Sequence, residues 1–115
     1  MAITLGAKPA LRKVIDMAVL VVIRMTGDPD QLVPLLNEHL SPIMDEIAPR
    51  QGALWHSLAK TPDGVIVVDV WESADGLQNV LSQPEMQQAI ERSGLPEPQI
   101  DVYELVDHRP VRASG

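Results

Sequence analysis

The segment ALWHSLAKTPDGVIVVDVW, residues 53–71, predicts a β-hairpin. Two largely apolar runs, Ala53–Lys60 and Val65–Trp71, flank the turn sequence Thr61-Pro-Asp-Gly64. Proline sets the φ angle that the first central position of a turn requires, and we predict that Gly64 adopts the left-handed conformation of a type I turn with a bulge. The hairpin is therefore the best-defined local element of the sequence.

The register of the hairpin decides which side chains share a face, because alternate residues of a strand point to opposite sides. Counting back from the turn, one face carries the cross-strand pairs Lys60–Val65, Leu58–Val67, His56–Asp69 and Leu54–Trp71. The other face carries Ala59–Ile66, Ser57–Val68 and Trp55–Val70. Both faces are mainly apolar, so we expect both to be covered.

Outside the hairpin, the sequence predicts two more strands and two helical regions. Ala18–Ile23 is continuously apolar and β-branched, which is typical of a central strand, and Ile100–Val106 alternates as an edge strand does. Apolar residues at helical spacing run from Leu32 to Ile47, with a kink expected at Pro42, and a second helical region lies between Ser73 and Gly94. The order β-α-β-β-α-β predicts an α+β, ferredoxin-like fold with a four-stranded antiparallel sheet.

Two helical regions can cover only one face of such a sheet. The other face would then expose about 600–900 Å² of largely apolar surface per subunit, which is enough for a stable interface. The simplest partner is a second copy of the same sheet. We therefore predict a homodimer.

The length of the chain indicates how many domains it forms, and its net charge indicates which partners it disfavours. The chain has 115 residues, of which 45% are hydrophobic; we place the domain at residues 17–108, an N-terminal arm at 1–16 and a C-terminal tail at 109–115. The domain carries fifteen acidic and four basic residues, a balance that disfavours nucleic-acid binding. The apolar run Val14–Ile23 is interrupted by Asp16 and is too short to span a membrane, which needs about 20 residues.

The sequence contains no cysteine, which excludes disulfides, thiolate catalysis and cysteine-type zinc sites. This composition fits a reducing compartment, and we expect a cytoplasmic protein. The histidines have none of the spacings typical of metal sites, and no nucleotide-binding motif occurs. We predict neither a metal nor a cofactor.

Three sequence features resemble the antibiotic biosynthesis monooxygenase group of the dimeric α/β barrel superfamily. They are Thr61-Pro-Asp-Gly64, Val68-Asp-Val-Trp-Glu-Ser73 and Ser82-Gln-Pro-Glu-Met86. The resemblance spans residues 17–108. It implies a dimer of facing sheets, with a pocket between sheet and helices in each subunit.

His56 and Asp69 are the candidate catalytic residues. Directly opposed residues have Cβ atoms about 4.5–5.5 Å apart, close enough for a side-chain hydrogen bond, and a carboxylate beside an imidazole favours a general base. Trp71, His39 and Tyr103 are the candidate substrate-binding residues. The alternative is that His56 and Asp69 form a buried polar pair that only fixes strand register or dimer pairing.

The resemblance and the histidine–aspartate pair together suggest a cofactor-independent monooxygenase. Its substrate would be a phenolic or polyketide-like molecule, small and apolar or aromatic. Two alternatives remain open: an isomerase or cyclase that uses the same pair for proton transfer, and a non-catalytic dimeric ligand-binding or interaction protein.

Overall fold

The computed structural model describes residues 18–109 and residue 111. Within these residues four strands and four α-helices follow one another as β1 Val19–Thr26, α1 Pro29–Leu35, α2 Ser41–Ile47, β2 Ala53–Thr61, β3 Gly64–Trp71, α3 Ala74–Leu81, α4 Pro84–Ser93 and β4 Gln99–Glu104. A 3₁₀-helical turn, Ala48–Gln51, joins α2 to β2. The predicted arm 1–16 and most of the predicted tail 109–115 lie outside the described residues. The domain boundaries stay a prediction.

The strands form one antiparallel sheet in the order β2-β3-β1-β4. This arrangement confirms the predicted α+β, ferredoxin-like fold. The two continuously apolar strands, β1 and β3, are the central ones. Central strands have neighbours on both edges and covered side chains on at least one face, which favours β-branched residues over charged ones.

The hairpin register is confirmed at six of the seven predicted pairs, including His56 opposite Asp69. The seventh, Leu54–Trp71, is wrong. A β-bulge between Ala53 and Trp55 places Ala53 opposite Trp71, and Leu54 is left 52% exposed. A bulge adds one residue to one strand, so counting from the turn fails beyond it.

Gly64 does not have the predicted left-handed conformation. The described glycines with positive φ are Gly27, Gly52 and Gly94, whereas Gly64 begins β3 opposite Thr61. A Cβ atom at Gly64 would overlap the backbone carbonyl oxygen of Met25. Glycine is needed here because the backbone of β1 lies so close, a reason that the local sequence does not reveal.

The first helical region is interrupted where Pro42 predicts a kink. The five residues Leu36–Leu40 form a π-helical turn between α1 and α2, and Pro42 lies in the first turn of α2. Proline lacks the N–H that would continue the regular hydrogen-bond ladder. Asp28 caps the start of α1 by accepting a hydrogen bond from the Asp30 N–H at 2.9 Å.

All four helices lie on one face of the sheet. The main core cluster joins sheet and helix residues, which are Val19, Val21, Ile47, Ala48, Trp71, Ala74, Leu77, Val80 and Met86. A smaller cluster at the other end of the sheet consists of Met25, Leu32, Leu36 and Val65. The helices therefore contact the sheet at two places, with a space between them.

The opposite sheet face, which we call the open face, has no helix on it. It carries Trp55 and Tyr103, which are 59% and 52% exposed, and the Arg24–Asp101 ion pair at 3.2 Å. The Leu105 N–H donates to the Ala18 carbonyl and so continues the β1–β4 pairing within the sheet. Farther along, the segment after β4 approaches one end of the open face, where the His108 ring lies 6.3 Å from that of Trp55. The open face is thus covered at one end by the chain itself.

Candidate functional site

The space between sheet and helices is a cavity of about 1000 Å³. Its walls are mostly aliphatic side chains, among them Ile23, Leu36, Leu40, Met44, Leu58, Val67, Leu81 and Ile90. Ligand sites of this size usually combine such apolar walls with a few convergent polar groups. The polar groups of this cavity therefore decide what it can do.

Among the polar side chains that line the cavity, His56 and Asp69 are hydrogen-bonded to each other. The His56 Nδ1 lies 2.7 Å from Asp69 Oδ1, and the Trp71 Nε1–H donates to Asp69 Oδ2 at 3.4 Å. All three side chains line the cavity. The helix-lined face, rather than the open face, thus holds the pair.

The two members of the pair differ sharply in burial. The side chain of Asp69 is 4% exposed and that of His56 is 59% exposed. The difference follows from the sheet order, because Asp69 lies on the central strand β3 and His56 on the edge strand β2. The carboxylate is held by the core, while the imidazole remains accessible to a ligand.

Burial raises the pKa of Asp69 above its ordinary value, because the charged carboxylate loses hydration. The hydrogen bonds from His56 and Trp71 act in the opposite direction, since both stabilise the charged form. When Asp69 is ionised, its Oδ1 accepts a hydrogen bond from the His56 Nδ1–H. That tautomer leaves the Nε2 lone pair free to accept a proton.

The structure brings together three of the five residues proposed from the sequence: His56, Asp69 and Trp71. Neither His39 nor Tyr103 lines this cavity, so the expectation that they form its walls is not met. His39 lies in the π-helical turn, with Nε2 4.0 Å from the Glu38 carboxylate. The π-turn breaks the regular helical spacing from which the position of His39 was inferred.

Tyr103 lies on the open face for a reason visible in the sequence. It pairs with Leu20 of β1, and Leu20 alternates with the helix-facing Val19 and Val21. On β4, Ile100 and Val102 are the residues that pack against the core. Alternation along the strand then directs Tyr103 away from the helices.

Sequence reasoning missed several polar residues that line the cavity, which are Ser41, Asp45, Gln87, Glu91 and Glu97. Asp45 and Glu91 each follow an apolar wall residue, Met44 and Ile90, so helical spacing could have placed them at the edge of the apolar stripe. Glu97 lies on the loop between α4 and β4, where periodicity gives no information. The Ser41 hydroxyl donates to the Leu36 carbonyl at 3.3 Å.

Two further properties of the described residues bear on the class of site. Within residues 18–109, no three histidine or carboxylate side chains are grouped so that they could hold a metal ion. No helix in the same range is both long enough and apolar enough to cross a membrane.

Comparisons by sequence find no relative. No protein-family model matches the chain, and no curated protein matches it either.

Comparisons by structure do find relatives. SnoaB of Streptomyces nogalater, a cofactor-independent oxygenase, has a TM-score of 0.62 and 19% sequence identity over 83% of this chain and 99% of its own. A Caulobacter crescentus protein provisionally named as an antibiotic biosynthesis monooxygenase has a TM-score of 0.66 and 18% identity over 87% of this chain and 100% of its own. The fold is that of the antibiotic biosynthesis monooxygenase-like proteins. The resemblance drawn from the sequence is thereby confirmed at the level of the fold.

Rv0793 of Mycobacterium tuberculosis has the same fold, with a TM-score of 0.60 and 21% identity over 81% of this chain and 99% of its own. Each of these proteins is covered almost completely. The fold of this chain therefore matches nearly the full length of each of these solved chains.

Proposed function

We propose that this protein is a cofactor-independent oxygenase that deprotonates a phenolic or polyketide-like substrate in the cavity between sheet and helices. The observation that carries the proposal is the His56–Asp69 pair, which opens into an apolar cavity of about 1000 Å³. A weakly acidic aromatic molecule needs both features, a base for its hydroxyl group and apolar walls for its rings.

His56 is the proposed general base. Its Nε2 accepts the substrate proton, and Asp69 keeps Nδ1 protonated and stabilises the imidazolium that forms. Trp71 holds Asp69 in place through the Nε1–Oδ2 hydrogen bond. In this scheme Asp69 and Trp71 are positioning residues, and His56 touches the reacting group.

Oxygen then reacts with the electron-rich phenolate without a metal or an organic cofactor. A phenol that carries hydrogen at its para carbon and one O₂ molecule give one para-quinone and one water. One oxygen atom enters the ring and the other leaves as water with the phenolic and the para hydrogen. The apolar walls hold the rings of the substrate while its hydroxyl group lies at His56.

The fold supports this class of reaction without fixing the substrate. SnoaB is a cofactor-independent oxygenase with the same fold, and proteins of one fold often differ in chemistry. The proposal for this chain therefore rests on its own histidine–aspartate pair.

The direct test is oxygen consumption with a panel of phenols and hydroquinones. Loss of a general base typically slows a reaction by about 10²- to 10⁴-fold, so His56→Gln should lose activity on that scale. His39→Gln is the matched control, because it removes a histidine that does not line the cavity. Equal rates for the wild type and His56→Gln would remove His56 from the mechanism.

The same panel under strict exclusion of oxygen separates oxygenation from isomerisation or cyclisation. An oxygenase must stop, whereas a proton-transfer enzyme continues to turn over. Binding without turnover in either atmosphere would favour a non-catalytic ligand-binding protein.

We also propose that the open face pairs with a second copy of the chain. Trp55 and Tyr103 are more than half exposed, and Leu20, Ile66 and Val68 are only partly buried on the same face. An exposed apolar surface of this kind marks an interaction site. An interface about a two-fold axis uses the same surface on both copies, so one such face per chain is sufficient for a dimer.

A further inference from the structure

The charged groups that line the cavity are almost all of one sign. Besides the His56–Asp69 pair, the lining includes the carboxylates of Asp45, Glu91 and Glu97. All three residues are exposed, which places their carboxylates toward the entrance rather than at the cavity floor. Among the described residues, none of the three is in an ion pair.

Lysine and arginine side chains are absent from this lining among residues 18–109. The described range contains five lysine and arginine residues, which are Arg24, Arg50, Lys60, Arg92 and Arg109. Four of them pair with carboxylates that do not line the cavity, which are Asp101, Glu46, Asp30 and Asp107. The fifth, Arg92, donates to the Gln88 carbonyl at 3.4 Å.

We infer that the cavity selects neutral or cationic ligands and rejects anions, with Asp45, Glu91 and Glu97 as the residues that set this preference. An anion that entered would lose hydration without gaining a lysine or arginine partner from the described lining, and His56, which can become cationic, is already paired with the Asp69 carboxylate. It would also pass three like charges at the entrance, whose repulsion is felt most at low ionic strength because these carboxylates are exposed. A neutral phenol meets neither obstacle.

The charge preference narrows the class of substrate that the proposed oxygenase would accept. It rests on the proposed function only in one respect, namely that the cavity is the substrate site. The substrate would enter as an uncharged phenol, without a carboxylate, sulfate or phosphate group. Its negative charge would arise only after His56 has taken the proton, when the imidazolium is present to balance it. The preference itself concerns binding and holds whether or not turnover occurs.

The test uses two fluorescent probes that differ by one charged group, N-phenylnaphthylamine and anilinonaphthalene sulfonate. At low ionic strength, where screening is weak, the wild type should bind the neutral probe at least about tenfold more tightly, which corresponds to about 1.4 kcal/mol. The variant Asp45→Asn/Glu91→Gln/Glu97→Gln should reduce this ratio to about threefold or less, mainly through tighter binding of the sulfonate.

A matched control removes the same number and kind of charges elsewhere. Glu72→Gln/Asp75→Asn/Glu104→Gln changes three exposed carboxylates that do not line the cavity, and it should keep the wild-type ratio. Tryptophan at Leu40 or at Leu81, on different helices of the wall, should abolish binding of the neutral probe by filling the cavity. Two sites are used so that a fold defect in one variant does not decide the result.

Three outcomes would overturn the inference. The wild type binds both probes equally, the two triple variants change the ratio to the same extent, or the neutral probe still binds when the cavity is filled. Oxygen consumption plays no part in these measurements. An inactive protein that still discriminates between the probes would therefore refute the oxygenase proposal and leave the charge preference standing.

Discussion

The two tryptophans of the chain stand on opposite faces of the same hairpin and have opposite environments. Trp71 is fully buried beneath the helices and donates a hydrogen bond to Asp69. The Trp55 side chain lies on the open face, 59% exposed, beside the ring of His108, and the same residue also borders the cavity at the edge strand β2. Both sheet faces are largely apolar, so composition alone does not distinguish them. The difference lies in the helices, which cover one face at two places and leave a cavity between them.

The largest expected effect is on the buried face. Trp71→Ala should lower the free energy of unfolding by about 3–5 kcal/mol, because it removes a fully buried aromatic side chain and leaves a void. Urea denaturation followed by circular dichroism measures this loss. It should be the same at every protein concentration, since Trp71 acts within one chain.

Trp55→Ala sharpens the comparison, because its effect should depend on concentration. If Trp55 stabilises only the pairing of two copies, its loss is visible where dimers form and vanishes on dilution. A loss that is as large as that of Trp71→Ala at every concentration would show that Trp55 belongs to the core of one chain.

Self-association is the next largest expected effect. Sedimentation equilibrium over an approximately hundredfold dilution should show a dimer for the wild type. Trp55→Asp should weaken the dimer by at least about thirtyfold, since buried tryptophans are frequent hot spots worth about 2 kcal/mol or more. A folded wild-type monomer at every concentration would mean that the chain itself, beginning with the segment after β4, covers the open face.

Gly64→Ala tests the close approach of β1 and β3. The added Cβ would overlap the Met25 carbonyl, and we expect a loss of about 1–3 kcal/mol from overpacking. Gly94→Ala is an informative control. An added Cβ at Gly94 meets no atom within 4 Å, so any loss there comes from its left-handed backbone, with φ of 69°. An unaffected Gly64→Ala would contradict the described contact between the strands.

Features that depend on residues close together in the sequence were predicted, whereas features that depend on contacts between distant segments were not. Alternation and turn chemistry are local, and they predicted the hairpin and the His56–Asp69 pair. The close approach of Gly64 to β1 comes from another part of the chain, which a reading of the hairpin alone cannot include. The bulge at Leu54 lies at the end of the hairpin far from the turn, where turn chemistry carries no signal. The position of His39 was also not predictable, because the π-turn Leu36–Leu40 rotates the residues that follow it relative to a regular helix. Pro42 is the one sequence feature that indicates an interruption in this region.

Asp69→Asn tests the consequence of burying a carboxylate. The pKa of Asp69 is raised in the folded state, so the stabilisation linked to its protonation is fully present below its ordinary pKa of about 3.9 and is lost as the pH rises through the folded value. The unfolding free energy of the wild type minus that of Asp69→Asn should therefore fall as the pH rises from about 3 to 7. A difference that rises over this range would mean that His56 dominates and lowers the pKa of Asp69 instead.

The most direct test of the central claim is the ionisation state of a phenol bound in the cavity. With para-nitrophenol under exclusion of oxygen, at a pH where the free phenol is mostly neutral, the wild type should give the absorption spectrum of bound phenolate. His56→Gln should bind the phenol in its neutral form, because Nε2 is the proposed proton acceptor. A neutral bound phenol in the wild type, or the same phenolate fraction in both proteins, would contradict the assignment of His56 as the base.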